Sequence, residues 1–361
     1  MKTRGINSLE DVLEKIEDKS LIVRKSFKAQ ELMENHPPKI FNRNKKIVFN
    51  IACPSGCAHM GKIVFSKWKS MDWRNTVASL DYPTNHIMRE DSYDYLPLNP
   101  NRSKCIEWHV NFADRNLFQY YGGNLFAQDE MQAAEHPTMG AIREALLSLE
   151  KEDLKSGPYT RDVEAKPTPV LLRGLERRVE ISVEPNAEES RPKGLYGRKF
   201  AHASKEAIKK ACKIIKPPRK TNLVAMEAPK YGRGAYDKEK IIDAYSTAYT
   251  AFLATRIESH LELNDDLLEK PTVVIHTGNW GTGVYGGNKT LMAFLQILAS
   301  QTAGIDYFVF HTFDHPSSEK YKAAQKFLKS SISSDNTIKN VEQVIDKVHN
   351  FKFSWGISDG N

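Results

Sequence analysis

The most informative segment of this 361-residue chain is a glycine-rich turn, Thr277-Gly278-Asn279-Trp280-Gly281-Thr282-Gly283-Val284-Tyr285-Gly286-Gly287. The apolar stretch before it, residues 272–276, is typical of a buried strand, and residues 289–300 after it are predicted to form an apolar helix. Backbone N–H groups at the start of a helix attract phosphate, and glycine lets the backbone approach the phosphate oxygens closely. The pattern therefore predicts a strand–turn–helix unit that binds a diphosphate.

Strands and helices alternate on both sides of this turn. The apolar periodicity predicts strands at residues 106–113, 170–183, 222–227 and 306–310, and helices at residues 140–154, 204–215, 237–262, 317–329 and 337–348. Alternation of this kind favours an α/β fold with a mixed, partly parallel sheet flanked by helices.

The N-terminal part has a weaker pattern. Residues 1–40 are predicted to be helical and polar, residues 46–52 to form a strand, and residues 66–104 to be irregular. We therefore expect two parts, an N-terminal extension or cap at residues 1–100 and a catalytic domain at residues 101–361.

The composition, with 40% hydrophobic and 27% charged residues, is typical of a soluble globular protein. No apolar run approaches the roughly 20 residues that span a bilayer, and the charged N-terminus has no secretory signal, so we expect a cytoplasmic or soluble intracellular protein that does not bind membranes. Secretion without a signal peptide would leave no such mark. The net charge of +7 favours anionic partners, but the basic residues lack interleaved aromatics, which disfavours sequence-specific nucleic-acid binding.

The four cysteines are Cys53, Cys57, Cys105 and Cys212. Cys53 and Cys57 are spaced as in some metal sites, but a structural zinc site needs four ligands, and His59 alone does not complete one. We therefore expect free thiols in a reducing compartment, and no bound metal.

Three alternatives to a diphosphate site of this kind stay open. Residues 281–286 fit G-x-G-x-x-G, and Asp306 lies 20 positions beyond Gly286, as in a nicotinamide-dependent oxidoreductase; against this, only about 75 residues follow the turn. The turn could also be a connection without a ligand. His311, Asp314 and His315 could bind a metal, although no second acidic cluster accompanies them.

A second constellation lies earlier in the chain. It consists of Val110-Asn111-Phe112-Ala113-Asp114, then 13 residues, then Gln128-Asp129-Glu130. Two adjacent carboxyl groups could supply the acid and the charge that cleavage of a glycosidic bond requires. Acidic residues are also favoured in the first turn of any helix, because they interact with its dipole.

Together the two constellations resemble the poly(ADP-ribose) glycohydrolase family, which has a macrodomain-type fold. The turn, through Asn288, is similar to the family's T-G-N-W-G-C-G-A-F-G-G-D, and residues 295–299 and 308–313 are similar to the helix and strand that follow it. The family's V-D-F-A-N, 13 residues, Q-E-E corresponds to residues 110–114 and 128–130. The resemblance covers about residues 105–345.

The resemblance implies an ADP-ribosyl hydrolase that needs no metal or cofactor and takes ADP-ribose as its ligand and product. Glu130 takes the position of the general acid and Asp129 that of the carboxylate that grips the ribose, and we expect Asp114 to orient the ribose or the attacking water. The remaining residues that we expect to contact ADP-ribose are Asn111, Phe112, Gln128, Gly122, Gly123, Gly281, Thr282, Gly283, Val284, Tyr285, Gly286, Phe310 and Phe313.

The chain departs from the family at two places. Asn111 and Asp114 exchange the family's Asp and Asn, and Phe118-Gln119-Tyr120 replaces a triple glycine, with Gly122 and Gly123 following later. A divergent branch among bacterial effectors removes single ADP-ribose groups from arginine, and these changes favour that activity on an ADP-ribosylated protein. The alternatives are cleavage of poly(ADP-ribose) and an ADP-ribose-binding reader without activity. We expect a monomer.

Overall fold

The computed structural model describes residues 20–74, 84–90, 93, 95–98, 105–261, 271–335 and 337–358. Within them, one mixed sheet has the strand order β1-β2-β5-β6-β4-β7-β8-β3. The strands from β6 to β3 in this order are mutually parallel, and those from β1 to β6 are antiparallel. The strands are β1 (Leu21–Lys28), β2 (Lys62–Trp68), β3 (Asn85–Arg89), β4 (Cys105–Ala113), β5 (Val170–Ile181), β6 (Cys212–Glu227), β7 (Thr272–Gly278) and β8 (Tyr307–His311).

Helices flank this sheet, which confirms the predicted α/β class. They are α1 (Ala29–Asn35), α2 (Arg43–Ala52), α3 (Gln128–Glu135), α4 (Thr138–Leu149), α5 (Lys199–His202), α6 (Lys205–Ala211), α7 (Lys238–Leu261), α8 (Lys289–Thr302), α9 (His315–Phe327) and α10 (Val341–Asn350). In the part of the chain that the structure describes, no helix has the length and apolar character needed to cross a membrane.

The alternation of side chains along β4 assigns the helices to opposite faces of the sheet. Trp108 points towards α7, where its indole N–H donates to Ser259 Oγ at 2.8 Å. Asn111 points to the other face, where its amide contacts Asp129 on α3. The acid-bearing helix therefore lies across the sheet from α7.

Four predictions of secondary structure are wrong. Residues 66–104 are not irregular throughout, because residues 85–89 form strand β3, which pairs with β8. Residues 21–28 form a strand and not a helix, because they pair with β2 at the sheet edge. Residues 46–52 lie in helix α2 and not in a strand, since the side chain of Asn42 caps the N–H groups of Asn44 and Lys45. The basic helix predicted at 204–215 ends at Ala211, and β6 begins at once by pairing with β5.

The prolines of β6, at residues 217 and 218, lie where the strand has one neighbour. Residues 212–214 and 219–221 pair with β5, the two prolines lie in the irregular stretch between them, and pairing with β4 begins only at Asn222. Proline is tolerated at such an edge because no ladder hydrogen bond is lost on the open side. The division of the chain at residue 100 stays a prediction; β1, β2 and β3 come from residues before it.

Candidate functional site

The carboxyl ends of four parallel strands meet at one edge of the sheet, where ligands of α/β proteins usually bind. Asp114 follows β4, Ala228 follows β6, the glycine turn follows β7 and Phe313 follows β8. A cavity of about 1220 Å³ opens at this edge. Of the predicted site residues it is lined by Phe112, Asp114, Gln128, Asp129, Glu130, Gly281, Thr282, Gly283, Val284, Tyr285 and Phe313.

The Gln-Asp-Glu triplet begins helix α3, and each side chain has its own contact. Gln128 accepts from the Phe112 N–H at 2.8 Å and donates to the Val110 carbonyl at 2.9 Å, which clamps the helix start onto β4. Asp129 Oδ1 accepts from the Asn111 amide at 2.9 Å. Glu130 Oε2 accepts from the Ala127 N–H at 2.9 Å, as in a capping box.

The two carboxyl groups are almost completely buried, with Asp129 7% and Glu130 3% exposed. Burial and the neighbouring Glu130 raise the pKa of Asp129, and burial raises the pKa of Glu130. Lys45 on α2 opposes both shifts through its charge, and its own pKa is lowered to about 8 by burial. The pair therefore retains a proton more readily than exposed carboxylates do, which suits a general acid.

Asp114 has the opposite electrostatic environment. Lys230 Nζ lies 2.7 Å from its Oδ2, and the Tyr285 hydroxyl donates to the same oxygen at 3.1 Å. Although partial burial raises the pKa of Asp114, these hydrogen bonds and one from the Asn116 N–H hold it below its ordinary value. Asp114 is therefore a carboxylate that can orient a hydroxyl group or a water molecule.

The glycine turn leaves several backbone donors free. Trp280 is fully buried and donates from Nε1 to the Met226 carbonyl at 3.1 Å, which fixes the turn against β6. Within the described residues, no acceptor is seen for the backbone N–H groups of Gly281, Gly283, Val284 and Tyr285, all of which line the cavity. Consecutive free N–H groups in a concave turn form an anion-binding site.

The C-terminal segment, residues 354–358, fastens the outside of this turn. The Gly356 N–H donates to the Gly286 carbonyl at 2.9 Å, and Ser358 Oγ donates to the Val284 carbonyl at 2.7 Å. Trp355 stacks on Tyr236 with ring centroids 4.0 Å apart. The Val284 and Gly286 carbonyl groups thus have partners in this segment, while residues 281–285 line the cavity.

Five predicted contact residues do not line the cavity. Asn111 is buried behind Asp129, and Gly286 faces the C-terminal segment. Phe310 stacks on Tyr321 in the core, with centroids 4.5 Å apart. These three residues therefore lie outside the lining of the cavity, and their contact with a ligand stays a prediction.

Gly122 and Gly123 also lie away from the cavity. The Gly122 carbonyl accepts from the N–H groups of Phe41 and Asn42, and a Cβ on Gly122 would lie 2.2 Å from the Lys39 carbonyl oxygen. Gly122 is thus a close-packing position against the N-terminal part of the chain, and contact of either glycine with a ligand stays a prediction.

Three residues at the site were not predicted from the sequence. Lys230 neutralises Asp114, Lys45 lies beside the acid pair, and Tyr120 lines the cavity with 45% of its surface exposed. A signal existed for Lys230, because it comes just after the carboxyl end of β6. No sequence signal marked Lys45, because only residues 46–52 of its helix were assigned to an element, and they were predicted to form a strand.

Asp129→Asn is expected to stabilise the protein at neutral pH while it removes a site carboxyl group. Folded Asp129 binds its proton more tightly than the unfolded chain does, so its contribution to stability falls as pH rises above about 3.9, the unfolded value. Asparagine retains an acceptor for Asn111 and does not ionise. Thermal unfolding should show a Tm about 2 °C above wild type at neutral pH, and no gain near pH 4.

The matched control is Glu188→Gln, which removes an exposed carboxylate. The difference between its Tm at neutral pH and its Tm near pH 4 should equal that of wild type. A Tm of Asp129→Asn below that of wild type at neutral pH would show that the buried carboxyl group does not destabilise the folded protein.

Comparisons with known proteins agree with this geometry. Residues 171–320 match the family described as Poly (ADP-ribose) glycohydrolase (PARG), Macro domain fold. The chain is 27% identical over 145 residues to the probable poly(ADP-ribose) glycohydrolase 2 of Arabidopsis thaliana; the match covers 33% of this chain and 28% of that relative. The chain thus spans less than a third of the length of the relative.

Solved structures with similar folds include two bacterial proteins. One is the poly(ADP-ribose) glycohydrolase of Thermomonospora curvata bound to the inhibitor ADP-HPD, with 13% identity, coverage of 79% of this chain and 99% of that chain, and a TM-score of 0.48. The other is the poly(ADP-ribose) glycohydrolase of Deinococcus radiodurans in complex with ADP-ribose, with 11% identity, coverage of 87% and 97%, and a TM-score of 0.41.

The family match begins in β5 and includes the glycine turn, β6, β7 and β8. It does not include Asp129 and Glu130, whose roles depend on the geometry described above. Over residues 171–320, the resemblance predicted from the sequence is confirmed: this part of the chain is similar to the poly(ADP-ribose) glycohydrolases and has their macrodomain-like fold.

Proposed function

We propose that this chain hydrolyses the glycosidic bond by which ADP-ribose is attached to another group. One observation carries the proposal: a buried pair of carboxyl groups and a turn with free backbone N–H groups line the same cavity. The turn suits a diphosphate, and the carboxyl pair suits acid catalysis at the adjoining ribose.

Each carboxyl group has a separate role in this reaction. Glu130, whose pKa is raised by burial, donates a proton to the leaving oxygen or nitrogen as the bond to the ribose carbon breaks. Water then adds to that carbon and returns a proton to Glu130. Asp129 binds the ribose hydroxyl groups, and ionised Asp114 orients a hydroxyl group or the water.

The other side chains at the cavity support an ADP-ribose ligand. The free N–H groups of the turn place hydrogen-bond donors where a diphosphate would lie, and Lys230 is paired with Asp114, which lines the cavity. Tyr285 is held by its bond to Asp114 beside the turn, and Phe313 is 44% exposed at the cavity edge, where it could stack on the adenine.

Two classes of substrate are consistent with this site. The matched family and the plant relative are named for poly(ADP-ribose), which favours the polymer. The loop that replaces the triple glycine favours a single ADP-ribose group on a protein side chain, for example arginine. Its N–H groups at Gln119, Tyr121 and Gly123 are bound within the loop, and Tyr120 lines the cavity.

The test is to incubate the full chain with poly(ADP-ribose) and with proteins that carry ADP-ribose on arginine, serine or glutamate, and to measure the ADP-ribose released. Release from any substrate supports the proposed function, and the preferred substrate identifies the linkage. Binding of ADP-ribose without release from any of them would make the protein a reader. Thermal stabilisation by NAD(P) but not by ADP-ribose would favour the oxidoreductase alternative.

A further inference from the structure

The loop between α2 and β2 brings two thiols and an imidazole together at a place that does not line the cavity. The side-chain donor atoms of Cys53, Cys57 and His59 all lie within 4.8 Å of one another, and Cys57 Sγ is 3.7 Å from His59 Nε2. Cys53 caps the C-terminus of α2, and a turn closed by the Cys57 N–H and the Pro54 carbonyl reverses the chain. The folded loop thus places His59 against both thiols, which the spacing in the sequence could not show.

A second observation concerns the other nitrogen of the same imidazole. His59 Nδ1 lies 3.6 Å from Glu176 Oε2, and both side chains are only 4% exposed. Nδ1 is a buried polar atom without a hydrogen-bond partner among the described residues. Arg178 and the Met60 N–H hold the Glu176 carboxylate in place. A histidine that binds a metal through one nitrogen usually turns the other towards a carboxylate in this way.

A second cluster of possible ligands, Glu107, His109 and His276, is explained without a metal. Its donor atoms also lie within 4.8 Å of one another. However, His276 Nε2 is 2.9 Å from Glu107 and its Nδ1 is 3.2 Å from His311, while His109 Nδ1 is 2.6 Å from the Tyr93 hydroxyl. Hydrogen bonds within the protein therefore account for this cluster.

We propose that Cys53, Cys57 and His59 bind a zinc-type divalent cation. Two sulfur ligands and one imidazole are the donors that zinc prefers, and three protein ligands leave a fourth position for water, which the half-buried cysteines allow. On binding, the two thiols release their protons to solvent, and the cation bonds to the resulting thiolates.

The cation would fasten the C-terminal end of α2 to the start of β2 and, through Glu176, to β5. Helix α2 also carries Lys45, whose ammonium group donates to the Tyr120 carbonyl at 3.0 Å beside the acid pair. A bound cation would therefore hold in place the helix that carries Lys45 to the cavity. The existence of the site does not depend on the proposed hydrolysis.

The test measures zinc in the full chain, purified without a histidine tag in a reductant that does not chelate metals, after addition of Zn²⁺ and removal of the excess. Wild type is expected to retain a stoichiometric amount, and Cys57→Ser and His59→Gln to lose it. Cys105→Ser and Glu107→Gln, which alter a thiol and a carboxylate outside the cluster, are expected to retain it. Zinc that is absent from wild type, or lost only in Glu107→Gln, would overturn the assignment.

A second measurement uses wild type alone and so does not depend on how the variants fold. Titration with Co²⁺ is expected to produce the near-ultraviolet absorption of thiolate-to-cobalt charge transfer, and chelation should lower the Tm, with recovery on addition of Zn²⁺. Peptide mass analysis reports the redox state of the cysteines. A reduced protein that binds no Co²⁺, or a Cys53–Cys57 disulfide that persists under these conditions, would contradict the proposal.

Discussion

Glu130→Gln is expected to slow the release of ADP-ribose by about 10²–10⁴-fold while ADP-ribose still binds. Glutamine retains an acceptor for the Ala127 N–H, so the start of α3 keeps its cap, but it carries no proton to donate to a leaving group. Initial rates of ADP-ribose release on the best substrate, together with calorimetric binding of ADP-ribose, separate the chemical step from binding.

Glu206→Gln is the matched control for this variant. Glu206 also lies in the first turn of a helix, α6, and it does not line the cavity, so its loss should leave the rate unchanged. A wild-type rate for Glu130→Gln would show that Glu130 is not the acid. A parallel loss of rate and binding would instead assign it to ligand recognition.

Gly281→Ala is expected to weaken ADP-ribose binding by about 100-fold, the loss that corresponds to one or two hydrogen bonds to a charged phosphate. Gly281 has a φ of +73°, and a Cβ at this position would lie 2.4 Å from the Cβ of Ala228. The turn must move to relieve this overlap, which displaces the neighbouring N–H groups from the cavity. Isothermal titration with ADP-ribose measures the effect.

Gly234→Ala separates backbone strain from this displacement. Its φ of +67° imposes similar strain, but a Cβ there would meet no atom within 4 Å, so its Kd is expected to match that of wild type. Equal affinity of Gly281→Ala and wild type for ADP-ribose would rule out the turn as the diphosphate site. Thermal unfolding of both variants checks that they are folded.

The parallel strands were predictable because their apolar residues either alternate with polar ones, as in residues 106–113, or form a short continuous run, as in residues 272–276. Residues 106–113 and 272–276 were placed in this way, and both became strands. Residues 46–52 have a similar run of apolar residues but form a helix, because the cap at Asn42, four residues earlier, decides the start of α2. Periodicity alone cannot distinguish these two cases in a short segment.

Residues of the candidate site were predicted only where they belong to a recognisable local sequence pattern. The turn and the Gln-Asp-Glu triplet each have a distinctive sequence, and the fold brings them to one cavity. Lys45 acts on partners that are distant in the sequence, so no local pattern marks it, and Lys230 is marked only by its position just after the carboxyl end of β6. Glycine has more than one use, and Gly122 serves close packing against Lys39 and not the approach of a ligand.

The C-terminal segment at residues 354–358 has a consequence for the order in which the site is completed during synthesis. A ribosome makes the acid pair first and the glycine turn more than a hundred residues later. The carbonyl groups of Val284 and Gly286 receive their outer partners only when residues 354–358 have also emerged. A nascent chain that already contains the whole glycine turn therefore still lacks these two outer contacts until residues 354–358 have been made.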